Sequence, residues 1–159
     1  MEINEEKTEV IALNSRQQPR IEINRTIIKS SQPTYLGFTL DGKLRGNAHL
    51  LERCRKGKQK LNATLAVLNR LPHLKIDIKA NIIRSCVTSV MGYGTESCYV
   101  PEAGKEVVEK LEKLQRKAAR MLLQTPTSTA NETCIMDLGW ETMETYFNIK
   151  LLKFRARLQ

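Results

Sequence analysis

The stretch SQPTYLGFTLDGKL, residues 31–44, divides the chain into two halves of different composition. Tyr35, Leu36, Phe38 and Leu40 form an aromatic-rich extended run, and Asp41-Gly42 closes it with a turn signal. This pattern predicts a strand over Tyr35–Leu40. Upstream, Ile, Val and Thr dominate, and two further extended segments are expected. One is Thr8–Leu13; the other is Arg20–Ile23 paired with Thr26–Lys29. Asn24-Arg25 falls where a two-residue hairpin turn belongs, at a cost of about 1 kcal/mol for a left-handed Arg25. Residues 15–19 read as a loop.

Downstream the period changes from two to near 3.6. Leu50–Leu71 carries apolar positions at Leu51, Cys54, Leu61, Leu65 and Leu68, interrupted by Lys58, with Pro72 beyond its end. Ile76–Tyr93 places Ile78, Ile82, Ile83, Cys86, Val87 and Val90 inward and stops at Gly92 and Gly94. Lys105–Leu123 has the stripe Val107, Leu111, Leu114, Ala118 and Leu122. Asn131–Leu138 and Thr142–Leu158 complete the set, separated by Gly139-Trp140. The fold class expected is α+β, a small antiparallel sheet followed by a mainly helical bundle. The boundary falls between domains 1–43 and 44–159.

The chain has 159 residues, 41% of them apolar, which suffices for a buried core. Its net charge of +9 points to an anionic partner, nucleic acid first and an acidic membrane surface second. Glu2, Glu5 and Glu6 stand where a signal peptide needs basic residues. No apolar run approaches the roughly 18 residues of a membrane helix. Cys54, Cys86, Cys98 and Cys134 are widely spaced, which argues against a zinc site or disulfide framework and for a reducing, intracellular setting, nucleus or cytoplasm.

Catalytic patterns are sparse. His49 and His73 lack metal-ligand spacing. There is no P-loop, no G-x-G-x-x-G and no Ser-His-Asp signature. Asp41-Gly42 reads as a turn before it reads as a metal ligand, and Lys7 is a candidate general acid if the strands bring it to a substrate. The basic features say more. Residues 53–60, RCRKGKQK, hold Arg53, Arg55, Lys56, Lys58 and Lys60 with no acid among them. Lys110, Lys113, Lys117 and Arg120 recur at helical spacing on a second segment. Two positive faces suit a row of phosphates. Few aromatics are interleaved, so contact to a duplex backbone fits better than stacking on single strands.

Taken in order, INEEKTEVIALN, IEINRTIIKS, TYLGFTLDGKL, SCVTSVMGYGTES, KLEKLQRKAARMLL and TPTSTANETCIMDLGW resemble the reverse transcriptases of non-LTR (LINE-type) retrotransposons, collinearly from about Asn4 to Phe154. The resemblance implies that Asn4, Lys7 and Thr8 correspond to motif D, with Lys7 as general acid in an intact enzyme. It implies that Tyr35, Leu36, Gly37 and Phe38 form motif E, the primer grip. Residues 1–43 would then be a palm remnant, and 44–159 the thumb and the region beyond it.

Such an enzyme needs aspartates that hold two Mg²⁺ ions. Here Asp41, Asp77 and Asp137 stand apart, with no D-D pair. The expectation is therefore a fragment without catalytic residues, metal site or cofactor of its own, Mg²⁺ belonging to an intact parent polymerase. It would bind RNA–DNA hybrid or duplex weakly and without sequence preference, away from membranes. Departures from the family pattern are Arg25, where glycine is common, and Cys98, where tryptophan is common. Two other readings are a stand-alone basic nucleic-acid-binding module and a helical interaction protein with an acidic partner.

Overall fold

The structure, a computed structural model, describes residues 4, 8–15, 20–23, 25–28, 32–99, 105–126 and 128–159. The chain divides into two units, Met1–His49 and Leu50–Gln159. The fold is α+β, with small antiparallel pairs first and a helical bundle after them.

In the first unit, β1 (Ile21–Ile23) and β2 (Thr26–Ile28) form a hairpin with Ile21 opposite Ile28 and Ile23 opposite Thr26. This is the expected pairing, and Arg25 takes the left-handed conformation at φ 67°. Asn24 and Lys29 lie outside the described residues.

Two expectations for this unit are corrected. Thr8–Leu13 forms no strand beyond a single bridge at Val10. Its neighbour is the turn after Asp41, where Asn14 N–H donates to the Gly42 carbonyl at 2.8 Å. A turn presents one carbonyl rather than a ladder, so beyond the Val10 bridge no strand runs along the segment. Tyr35–Leu40 is likewise not one strand. It folds back as β3 (Thr34–Tyr35) and β4 (Phe38–Thr39), so among the described residues the strands of this unit form two hairpins rather than one sheet. Leu36 and Gly37 make the turn at φ 47° and 79°. Positive φ at both central residues is the geometry that matches strand twist in a two-residue hairpin.

In the second unit the core gathers Leu61, Leu65, Leu68, Ala80, Ile83, Val87, Met91, Leu111, Ala118, Met143 and Phe147. Helix α1 (Asn47–Leu68) starts and ends a little before the expected limits. Its inward line passes through Leu50, Arg53, Gly57, Leu61 and Leu65 at steps of three and four. Leu51, expected on that line, is 47% exposed because it sits one residue out of phase.

Helix α2 (Ile76–Ile83) continues through a π-helical turn, Arg84–Thr88, into α3 (Ser89–Met91). Its buried residues include Ala80, Ile83, Val87 and Met91, and Ile78 stands out of that line at 45% exposed. Helix α4 (Lys105–Leu123) buries the expected stripe, with Leu114 only partly covered.

Helix α5 (Asn131–Asp137) ends at Gly139, φ 61°. Gly139 N–H donates to the Met136 carbonyl and Trp140 N–H to the Ile135 carbonyl, the paired bonds of a Schellman cap. Thr142 caps α6 (Met143–Arg157), its hydroxyl accepting from Thr145 N–H at 3.2 Å. Lys150 of α6 pairs with Glu96 at 2.8 Å and donates to the Gly92 carbonyl, tying α6 to the short 3-10 turn Thr95–Ser97. No helix is long and apolar enough to cross a membrane, among the described residues.

Candidate nucleic-acid interface

The β3–β4 hairpin is the first candidate element. Tyr35 is 69% exposed and Leu36 77% exposed, while Phe38 turns inward. Phe38 stacks on His49, with ring centroids 4.1 Å apart and planes at 18°. His49 is fully buried, and its Nδ1 accepts from Thr39 N–H at 3.2 Å. Nδ1 therefore carries no proton in this arrangement. Asp41 closes the hairpin's exit: its Oδ1 accepts from Lys43 and Arg45 N–H at 3.0 and 3.1 Å, an Asx-type turn. Leucine at positive φ is a genuine conformational outlier. Strain of this kind concentrates at ligand clamps and similar sites. Lys7 lies outside the described residues.

On α1 the basic residues separate by depth. Arg53 is only 5% exposed and its guanidinium lies 5.3 Å from the centre of the Tyr93 ring. It belongs to the helix's packed side, not to an exposed row. A charged residue on the inward line was hidden from the sequence pattern by its polarity. Arg55 forms a two-pronged bond to Glu52, at 2.8 and 2.7 Å, with Lys56 3.5 Å away. The Arg55 hydrogen bonds, aided by both positive charges, hold the Glu52 carboxyl down at about 2. Lys58 and Lys60 are exposed and make no ion pair among the described residues. Burial pushes the neighbouring Cys54 thiol up, against the pull of Lys110 and Lys58.

Helix α4 shows a different charge plan. Each of its glutamates precedes a cation by four residues: Glu106–Lys110 at 2.7 Å, Glu109–Lys113 at 2.8 Å and Glu112–Arg116 at 2.9 Å. Such pairs support the helix by about 0.2–0.5 kcal/mol each. They also hold Glu106 and Glu109 below the usual carboxylate range, the lysine hydrogen bond being the main cause in each. Lys117 and Arg120 come after the last glutamate. Positive charge thus concentrates toward the C-terminal end, where the helix dipole also favours it.

A groove of about 720 Å³ opens there. Lys113, Arg116, Lys117 and Arg120 line it with Met121, and Gln124, Thr125 and Asn131 complete it. Arg120 is held by a hydrogen bond to the Thr129 carbonyl at 3.2 Å. Lys110 is absent from the groove and Arg116 is present, although the sequence reading chose the first and passed over the second. The signal was available: Arg116 stands three residues after Lys113 and four before Arg120.

Among the described residues no three His, Cys, Asp or Glu side chains gather where they could hold a metal ion. Asp77 lies in the first turn of α2 and Asp137 at the end of α5.

No protein-family model matches the chain, and no solved structure matches it. A curated relative does: the probable RNA-directed DNA polymerase from transposon BS of Drosophila melanogaster, 27% identical over 140 residues. The match covers 87% of this chain and 15% of the relative's length. Over most of its residues, this chain is therefore similar to a short part of a probable transposon RNA-directed DNA polymerase.

Proposed function

We propose that this chain is a fragment of a retrotransposon reverse transcriptase that grips a primer terminus, binds the backbone of template–primer duplex and does not polymerise DNA by itself. The observation that carries the reading is the collinear similarity to a transposon polymerase over 87% of the chain. The exposed, strained tip at Tyr35 and Leu36 supports the grip, backed by the Phe38–His49 stack. The exposed cations Arg55, Lys58 and Lys60 on α1 and Lys110, Lys113 and Lys117 on α4, with the partly exposed Lys56 and Arg120, support backbone contact. In this reading residues 1–43 are palm remnant and 44–159 thumb-like, and the protein works inside the cell.

The expected polymerase chemistry needs two carboxylate-held Mg²⁺ ions. Separated aspartates at 41, 77 and 137 offer no such pair. The test is a primed RNA template whose primer carries a photoreactive 3′-terminal nucleotide. Crosslinking to the 34–39 hairpin, with no primer extension in Mg²⁺ or Mn²⁺, is expected. Template-dependent extension by the purified chain, or crosslinks confined to other segments, overturns the reading.

A further inference from the structure

The groove at the C-terminal end of α4 brings together Lys113, Arg116, Lys117 and Arg120, a grouping the sequence pattern did not reveal. We propose that it is a seat for the phosphodiester backbone of one nucleic-acid strand, with Arg116, Lys117 and Arg120 as its principal anchors. The inference rests on the nucleic-acid role proposed above and names the place where the strand lies.

Four cations line the groove and no acid does. Lys113, Arg116, Lys117 and Arg120 recur at steps that bring them to one face of α4. From Lys113 to Arg120 the helix rises about 10 Å, the axial length of roughly three phosphates of one B-DNA strand. A regularly charged polymer matches this row better than a single compact anion.

The site is also partly preorganised. The Arg120 guanidinium is fixed by the Thr129 carbonyl, and Arg116 is held by Glu112. Glu109 and Glu112, which pair with Lys113 and Arg116, are not among the residues lining the groove. Lys117 has no ion-pair partner among the described residues. Gln124 and Asn131 add neutral amide donors able to meet phosphate oxygens. Arginine's planar fork suits bidentate phosphate contact, and lysine supplies a point charge.

The test is fluorescence anisotropy with a short RNA–DNA hybrid at stepped salt. The wild-type chain is compared with R116Q/K117Q in the groove and K58Q/K60Q on α1. All four side chains are at the surface or partly so, and unchanged thermal melting confirms that the variants fold. Losing two phosphate contacts should flatten the log–log salt slope of R116Q/K117Q by roughly two units. Gln124 and Asn131 amide resonances should shift on titration with hybrid.

An unchanged slope in R116Q/K117Q, with a flattened slope in K58Q/K60Q, overturns the groove assignment and leaves the broader role standing. Binding by the wild type that is indifferent to salt overturns both. Inorganic tripolyphosphate and polyglutamate serve as competitors at matched charge concentration. Displacement of hybrid by either as effectively as by unlabelled hybrid overturns the assignment of a nucleic-acid strand.

Discussion

Phe38 lies flat against His49, and the neighbouring Thr39 N–H donates to Nδ1 of the same imidazole. One fully buried ring thus anchors both the side-chain and backbone faces of the β3–β4 hairpin. His49→Phe keeps a ring for the stack but removes the acceptor, leaving a buried N–H unpaired at a cost of about 1–3 kcal/mol. His49→Ala loses both. Amide exchange at residues 34–39 should accelerate in either variant, more in His49→Ala, with little change around Ile83–Met91. Exchange unchanged in both variants would show that the hairpin is held by something else.

Gly57 packs against Met91. A β-carbon at Gly57 would stand 2.7 Å from Met91 Cγ, inside any real contact distance. Glycine within a helix costs roughly 0.5–1 kcal/mol relative to alanine, so packing accounts for it here. Gly57→Val should destabilise the bundle by about 1–3 kcal/mol through overpacking. Combined with Met91→Ala, the loss should be smaller than the sum of the two single losses, because the second change makes room for the first. Strict additivity in denaturant melts would contradict this contact.

The Glu52–Arg55 pair makes a pH-dependent prediction. The carboxyl's pKa falls from 4.5 to about 2 on folding, chiefly through the Arg55 hydrogen bonds. A lowered carboxylate pKa stabilises the folded state above the unfolded value, and that contribution disappears as pH falls through the folded one. The window is therefore from about 4.5 down to about 2. A carbon-detected titration of the Glu52 carboxyl should show the low midpoint, and Arg55→Gln should return it toward the ordinary value. An equal midpoint in both proteins would contradict the assignment.

The first unit should open before the second. Leu13, Ile21, Ile27 and Leu36 are exposed, and Ile11, Ile23 and Phe38 are only partly covered. Each such residue contributes roughly 1.5–3 kcal/mol only when fully buried, and an isolated two-stranded hairpin is marginal in water. Early amide exchange is expected over residues 8–40, with slower exchange around Ile82–Met91 and Leu111–Leu122. Uniformly slow exchange across 8–40 in a monomer would show that this unit has a cover of its own.

The helices were legible where apolar period and composition agreed. Lys105–Leu123 has the limits that its stripe predicts, and Gly139-Trp140 marks the break between the last two helices. The phase of α1 was not legible, because its inward line runs through Arg53 and Gly57, a cation and a residue without a side chain. Leu51 consequently drew the line one residue off. In the first unit, alternation suggested a single strand at 35–40; the left-handed Leu36 instead makes a hairpin, a conformation leucine rarely signals. The basic rows were visible as composition. Their partition was not: Glu52 lies just outside the acid-free run, Arg53 is packed away, and three glutamates pair with α4 cations. Which cations remain unpaired depends on side-chain geometry that charge counting omits.

The most direct test of the proposed role is the salt dependence of binding to a template–primer RNA–DNA hybrid by the intact chain. Neutralising about four phosphates predicts a log–log slope near −3 to −4, with little preference among sequences. Affinity indifferent to salt, or no binding at low salt, would contradict a fragment built to hold nucleic-acid backbone.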